Sequence, residues 1–114
     1  MPLYRLSNLK GEEVNPLTIR RYINGERMTL AQFIFKKGAR VKRHVHVNEQ
    51  FSIVLTGRLR FRVGNEEYIA EAGDVIHVPP NTEHEVEALD DSIVVDVYSP
   101  IREDWIRGED KYLR

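Results

Sequence analysis

Four side chains in this sequence combine the donor atoms and the spacing of a metal site: His44, His46, Gln50 and His84. His44 and His46 are separated by one residue, and on an extended strand alternate side chains leave the same face, so both imidazoles can converge on one ion. A helix would point them apart. Gln50 follows past a bend at Val47-Asn48, and its even-numbered parity keeps it on the histidine face while Glu49 turns away. His84 comes after Pro79-Pro80-Asn81-Thr82-Glu83, a rigid turn able to deliver one side chain to the same interior from a distant strand. Imidazoles and an amide oxygen form a neutral donor set that suits one divalent transition metal (zinc, nickel, iron, manganese or cobalt) and leaves it its full positive charge. With an open coordination position such an ion polarises a substrate oxygen or a bound water. The competing reading is that these histidines are hydrogen-bonded barrel residues without a metal. The remaining histidine, His77, lies on VIHVPP, matches no ligand position and reads as a supporting or an exposed residue.

A second candidate is Asp96, embedded in SIVVDVYSP with Val94 and Tyr98 as its period-two partners. If that face looks inward, a carboxylate is buried, and burying one alone costs several kcal/mol unless it is paired, hydrogen-bonded or near a metal. An Arg partner is one reason to keep it there and a proton-transfer task is another. If the face looks outward, Asp96 is an ordinary edge-strand charge. The pattern leaves these three readings open.

Turn signals that would position these residues recur at short intervals: Asn24-Gly25, Lys37-Gly38, Thr56-Gly57, Gly64-Asn65, Ala72-Gly73 and Pro79-Pro80-Asn81. The runs between them, QFSIVLTG, RLRFRVG, EEYIAEAG and SIVVDVYS, have strand length and β-branched or alternating character. RRYINGERMTLAQFIF places Asn-Gly between two such runs, which predicts a hairpin whose turn residues take positive φ. Many short strands with Gly and Pro turns point to an all-β sandwich, jelly roll or small barrel. Ser99-Pro100 is expected to open a short helical turn through Ile101 to Arg107, stopped by Gly108. The final GEDKYLR is expected to pack loosely or against a partner.

A chain of 114 residues fits one domain with its own core. It has no cysteine, which excludes disulfides, thiol chemistry and zinc-thiolate sites. MPLYRLSNLKGEE reaches charge too early for a secretory leader, and no apolar run is long enough to span a bilayer, so a cytoplasmic protein is expected, with no membrane partner. The net charge of -1 hides an asymmetry: residues 1–62 carry 13 Lys/Arg against 4 Asp/Glu, and residues 63–114 carry 4 against 14. No aromatic-basic motif accompanies the basic half, so nucleic acid is not expected as a partner. The halves are expected to interleave and neutralise each other.

The histidine segments resemble the cupins. Their first motif (Gly, five residues, His-x-His, three or four residues, Glu, six residues, Gly) reads here Gly38, ARVKR, His44-Val45-His46, VNE, Gln50, FSIVLT, Gly57. The second (Gly, five residues, Pro-x-Gly, two residues, His, three residues, Asn) reads Gly73, DVIHV, Pro79-Pro80-Asn81, TE, His84, EVE, Ala88. Every spacing agrees, and three identities depart: Gln50 for Glu, Asn81 for Gly and Ala88 for Asn. Asn81 is the mildest, since Asn accepts left-handed backbone. Gln50 removes a negative charge from the metal site and weakens the likeness to cupin dioxygenases. The resemblance implies a single-domain jelly-roll barrel over residues 1–114, with motifs at 38–57 and 73–88, a short C-terminal helical turn and a homodimer.

DVYSPIREDWI is similar to the end of the pectin-degradation cupins that linearise 4,5-unsaturated monouronates. The resemblance implies catalytic roles for Asp96, Tyr98 and Arg102: Asp96 shuttles a proton, Tyr98 walls the pocket, and Arg102 pairs with the carboxylate of a small anionic substrate. On the residues alone, Tyr98 is a core aromatic and Arg102 a solvated helix-turn charge. The expected activity is therefore metal-dependent opening of an unsaturated uronate to a linear keto acid. The alternatives are a non-catalytic sugar-binding cupin and a metal-dependent dioxygenase.

Overall fold

Runs with apolar side chains at every second position form ten strands among residues 2–114, the part of the chain that the computed structural model describes. They are β1 (Glu12–Asn15), β2 (Thr18–Asn24), β3 (Thr29–Phe35), β4 (Arg40–His44), β5 (Glu49–Thr56), β6 (Arg58–Val63), β7 (Glu66–Glu71), β8 (Val75–Val78), β9 (His84–Ala88) and β10 (Ser92–Ser99). All pair antiparallel, in a six-stranded sheet ordered β1-β2-β3-β10-β5-β8 and a four-stranded sheet ordered β4-β9-β6-β7. This is the expected all-β jelly roll.

Parity decides what faces inward. In β10 the buried positions are Ser92, Val94, Asp96 and Tyr98; in β3 they are Thr29, Ala31, Phe33 and Phe35. Phe33 and Val94 from the larger sheet and Leu59 and Phe61 from the smaller one meet in one core, each such side chain contributing about 1.5–3 kcal/mol by leaving water. Asp96 therefore faces the interior, 6% exposed, which removes the edge-strand reading.

The turns follow local chemistry. Asn81 takes φ 57, a left-handed conformation that Asn accepts more readily than other non-glycine residues. Gly57 has φ 92, and a Cβ there would lie 2.1 Å from Ser92 Oγ, so only glycine fits. The Asn24-Gly25 hairpin forms, but not through a two-residue turn. Its loop runs from Gly25 to Met28, closed by Gly25 N–H donating to Met28 O at 2.8 Å and by Thr29 Oγ1 donating to Asn24 Oδ1 at 2.6 Å, and Asn24 and Gly25 keep negative φ.

The C-terminus departs from expectation twice. The helix α1 covers only Glu103–Ile106. Pro100 does not open it, because Arg102 still has non-helical ψ and gives its N–H to Thr29 Oγ1 at 2.9 Å. Gly108 does end the turn, at φ 74. The tail beyond is not loose: Lys111–Leu113 forms a 3-10 turn that buries Leu113 in the core and places Tyr112 against the histidines. The two charge halves neutralise each other through Arg20–Asp110, Arg43–Glu83, Arg58–Asp90 and Arg60–Glu87.

No helix is long and apolar enough to cross a membrane among the described residues.

Candidate metal centre

The smaller sheet brings two of the histidines together directly. His44 ends β4, His84 begins β9, and the two are opposed in the antiparallel register. His46 lies just past β4, where alternation persists without a ladder: Val45 is exposed and His46 buried. Gln50 enters from the larger sheet on the inward face of β5. One donor atom from each of His44, His46 and His84 lies within 4.8 Å of the others.

Backbone carbonyls orient all three rings. Nδ1 faces Lys42 O at 2.7 Å in His44, Asn48 O at 3.0 Å in His46 and Thr82 O at 2.8 Å in His84. A carbonyl only accepts, so each Nδ1 must carry the proton and each Nε2 keeps its lone pair. His84 Nε2 is buried with no partner. His46 Nε2 stands 3.0 Å from Gln50 Oε1, another acceptor, while Gln50 Nε2 donates to Ser52 Oγ at 2.8 Å. The centre thus gathers acceptors with no donor among them, an arrangement that a cation satisfies and that an apolar core would not tolerate. These residues fit a borderline divalent metal.

Electrostatics agree with that chemistry. Burial, reinforced by the His84 charge, lowers His44 to about 3. Burial and the Arg102 charge lower His46 to about 4. Burial also lowers His84, against the pull of the Thr82 carbonyl. All three imidazoles are neutral at pH 7, as metal ligation requires.

Asp96 shares the interior cavity with His44, Gln50, His84 and Arg102. Tyr98 Oη donates to Asp96 Oδ2 at 2.8 Å, and Oδ1 is buried without a partner. Burial raises the carboxyl to about 6, against hydrogen bonds from Ser52 and Tyr98 and the Arg102 charge. Burial likewise pushes Tyr98 well above its ordinary range.

Arg102 is 1% exposed, so it is not a solvated charge. Its guanidinium lies 4.5 Å from the Tyr98 ring centroid and 4.2 Å from that of Trp105. Nε and Nη2 donate to Asp104 at 3.0 and 2.8 Å, and Nη2 also reaches Tyr112 Oη. Burial opposes the cation and Asp104 outweighs it. The fork is therefore already engaged within the chain.

Sequence reasoning missed Ser52, Asn48, Trp105 and Tyr112. Ser52 was readable, since it shares parity with Gln50 and lies opposite Asp96 in the β5–β10 register. Asn48 is buried and donates to Pro100 O and Ile101 O at 2.6 and 3.1 Å, tying the histidine turn to the C-terminal loop. No local pattern marks Tyr112, whose partners are distant. His77 is exposed and pairs with Glu49 at 2.7 Å, away from the centre.

Comparison with known proteins agrees with this architecture. KdgF from Halomonas sp. superimposes with a TM-score of 0.86 at 25% identity, over 92% of this chain and 98% of that one. An RmlC-like cupin from Shewanella frigidimarina gives 0.82 at 27% identity, over 87% and 90%. An uncharacterised protein of Methanocaldococcus jannaschii is 32% identical over 66 residues, 57% of this chain, and the match spans about half of that relative (53%). Residues 31–98, more than half of the sequence, match the cupin domain, and the chain belongs to the cupin family.

Proposed function

We propose that this cupin is a metal-dependent enzyme that opens 4,5-unsaturated monouronates to linear keto acids. The observation that carries this reading is a buried carboxylate, Asp96, set on the same cavity as His44 and His84, two of the three clustered imidazoles. The likeness to KdgF and the DVYSPIREDWI stretch support it.

His44, His46, His84 and the Gln50 amide oxygen would hold the ion, which when bound supplies Lewis acidity at substrate oxygens. Asp96, near pH 7 and ionised for the most part, takes the proton of the anomeric hydroxyl as the bond from that carbon to the ring oxygen breaks. The products of that step are an aldehyde and an enolate, with the proton now on Asp96. Delivery of that proton to the former alkene carbon gives the ketone and restores the Asp96 carboxylate, and no oxidant or reductant is needed. Asp96 gains and returns one proton, and Tyr98 holds it in place. Arg102 contributes positive charge toward the substrate carboxylate through whatever part of its guanidinium Asp104 leaves free.

The test is the decay of the unsaturated chromophore of a 4,5-unsaturated galacturonate with metal-loaded protein. Decay that is absent without metal and in Asp96→Asn supports the reading. A stable chromophore with metal bound would sink it. A binding role without turnover is the second reading, and the Arg102 fork closed on Asp104 favours it, because a carboxylate clamp is not preformed.

A second copy of the chain is the proposed macromolecular partner. The outer face of the smaller sheet carries Arg–Glu pairs such as Arg60–Glu87 and Arg62–Glu85. The outer face of the larger sheet instead aligns Ile34 with Ile93, Leu30 with Val97 and Phe51, and Val95 with Ile53. The absence of cysteine suits the cytoplasm as the site of action.

A further inference from the structure

The centre is narrow. The cavity left among His44, Gln50, His84, Asp96, Arg102 and Tyr112 measures about 30 Å³, room for roughly two water molecules and far below the several hundred Å³ of ordinary small-molecule sites. What fills the space is the C-terminal turn. Tyr112 lies flat on the His44 ring, centroids 3.9 Å apart and planes 5° apart. Its hydroxyl accepts from Trp105 Nε1 at 2.7 Å and from Arg102. Leu113 lines the same cavity.

The turn is fastened by different chemistry from the barrel. The strands are held by ladders and apolar packing, whereas the tail is held by the burial of Leu113, the Tyr112 stack and a few polar contacts, with no ladder. Asp110, buried, pairs with Arg20 at 3.1 Å and with Arg114 at 2.9 Å. Arg114 reaches Glu12 at 3.1 Å, and Asn15 Nδ2 donates to Leu113 O at 2.7 Å. No strand pairing includes any residue beyond Ser99, so the tail can leave without breaking a ladder. Elements with few ladder bonds are those that open below the global unfolding free energy.

We infer that the turn Lys111–Leu113 is the movable wall of this site, latched at Asp110, and that Tyr112 yields its place over His44 to the entering ligand. Tyr112 then sets the size of what the site admits. This rests on the proposed function only in taking the histidine centre as the ligand site. A groove of about 340 Å³ beside His46, lined by Asn48, Pro100 and Asp104, is the rival entrance.

The test uses the full chain in two measurements. Amide hydrogen exchange on the metal-free protein compares residues 109–114 with β10, and dipicolinate-driven release of cobalt(II) is timed on the cobalt-loaded protein. Expected are exchange of the tail by local opening, and for Asp110→Asn both exchange and cobalt release faster by about 10- to 100-fold, the loss expected for hydrogen bonds to a charged group. Tyr112→Phe, which keeps the stack and loses the hydroxyl contacts, should speed both less. Tail amides that exchange only with β10, with cobalt release unchanged in Asp110→Asn, would overturn the movable wall and leave entry to the groove beside His46. Failure to bind cobalt would overturn the metal reading instead, and the exchange data would still decide the wall.

Discussion

Tyr98 donates its hydroxyl to the Asp96 carboxylate from two residues along the same inward face of β10, at 2.8 Å. The bond stabilises the charged form of a carboxyl that burial pushes up to about 6. Removing it by Tyr98→Phe takes away a hydrogen bond to a charge worth about 1.5–3 kcal/mol, which raises Asp96 by roughly 1–2 pH units more. If Asp96 must be ionised to accept the proton in the proposed reaction, the acid limb of kcat/KM moves up by that amount in the variant relative to the native protein loaded with the same metal. A limb that stays put would take Asp96 out of the rate-determining protonation.

The same carboxyl predicts a trade of stability for activity. Its folded pKa of about 6 lies above the ordinary 3.8, so its contribution to stability is intact below about pH 4 and lost as pH rises through 6. The loss amounts to about 3 kcal/mol by order of magnitude. Asp96→Asn escapes that penalty, and its metal-free form should melt above the native protein at pH 7 while turnover falls at least ~100-fold. Equal melting at pH 7 would mean that the carboxylate is compensated in a way its unpartnered Oδ1 does not suggest.

The imidazoles act in the opposite sense. Their folded values lie below 6.5, at about 3 for His44 and about 4 for His46, so their contribution is present above pH 6.5 and lost as pH falls toward 4. Two shifts of this size outweigh the single Asp96 shift, and the metal-free protein should lose net stability on acidification from pH 7 to 4.5. Because few protons compete for Nε2 above pH 5, bound metal should also persist there, unlike a site of exposed histidines that empties near pH 6.5. Elemental analysis after dialysis at stepped pH checks this, and His44→Ala should lower metal content at every step.

Arg102 shows where the sequence stopped being legible. The strand pattern, the shared parity of His46 and Gln50, and the left-handed Asn81 follow from local rules of period and turn chemistry, whereas the inward face of Asp96 is left open by the pattern and is fixed by the packing of β10 between β3 and β5. The burial of Arg102 does not, because it depends on Thr29 receiving its N–H across 73 residues and on Tyr98, Trp105 and Tyr112 closing around the guanidinium. The Tyr112 stack on His44 is of the same kind. Arg102 is buried but its partner Asp104 is 21% exposed, so truncating the arginine leaves a partly solvated carboxylate and costs less than breaking a fully buried pair, at about 3–5 kcal/mol. Arg102→Ala should therefore lower the melting temperature by roughly 4–8 °C or more, and Arg102→Ala/Asp104→Ala should recover part of the loss. A variant that melts like the native protein would assign Arg102 to the ligand rather than to the fold.

The outer face of the larger sheet carries the last prediction. Phe51, Leu55 and Val75 stand about half exposed there, 48%, 48% and 55%, beside Val95 and Val97 in the middle of the sheet. Five strands at about 4.8 Å spacing make this patch roughly 20 Å wide, the scale of a stable interface burying about 800 Å² per partner. The opposite face, cross-braced by Arg60–Glu87 and Arg62–Glu67, offers nothing comparable. A charge placed at the centre by Val95→Glu would face its own copy across a two-fold contact and remain unpaired. Sedimentation velocity at micromolar concentration should give a dimer for the native chain and a monomer for Val95→Glu, with Arg60→Ala still dimeric. A native monomer would leave this apolar face for a different partner, while dissociation by Arg60→Ala would move the contact to the smaller sheet.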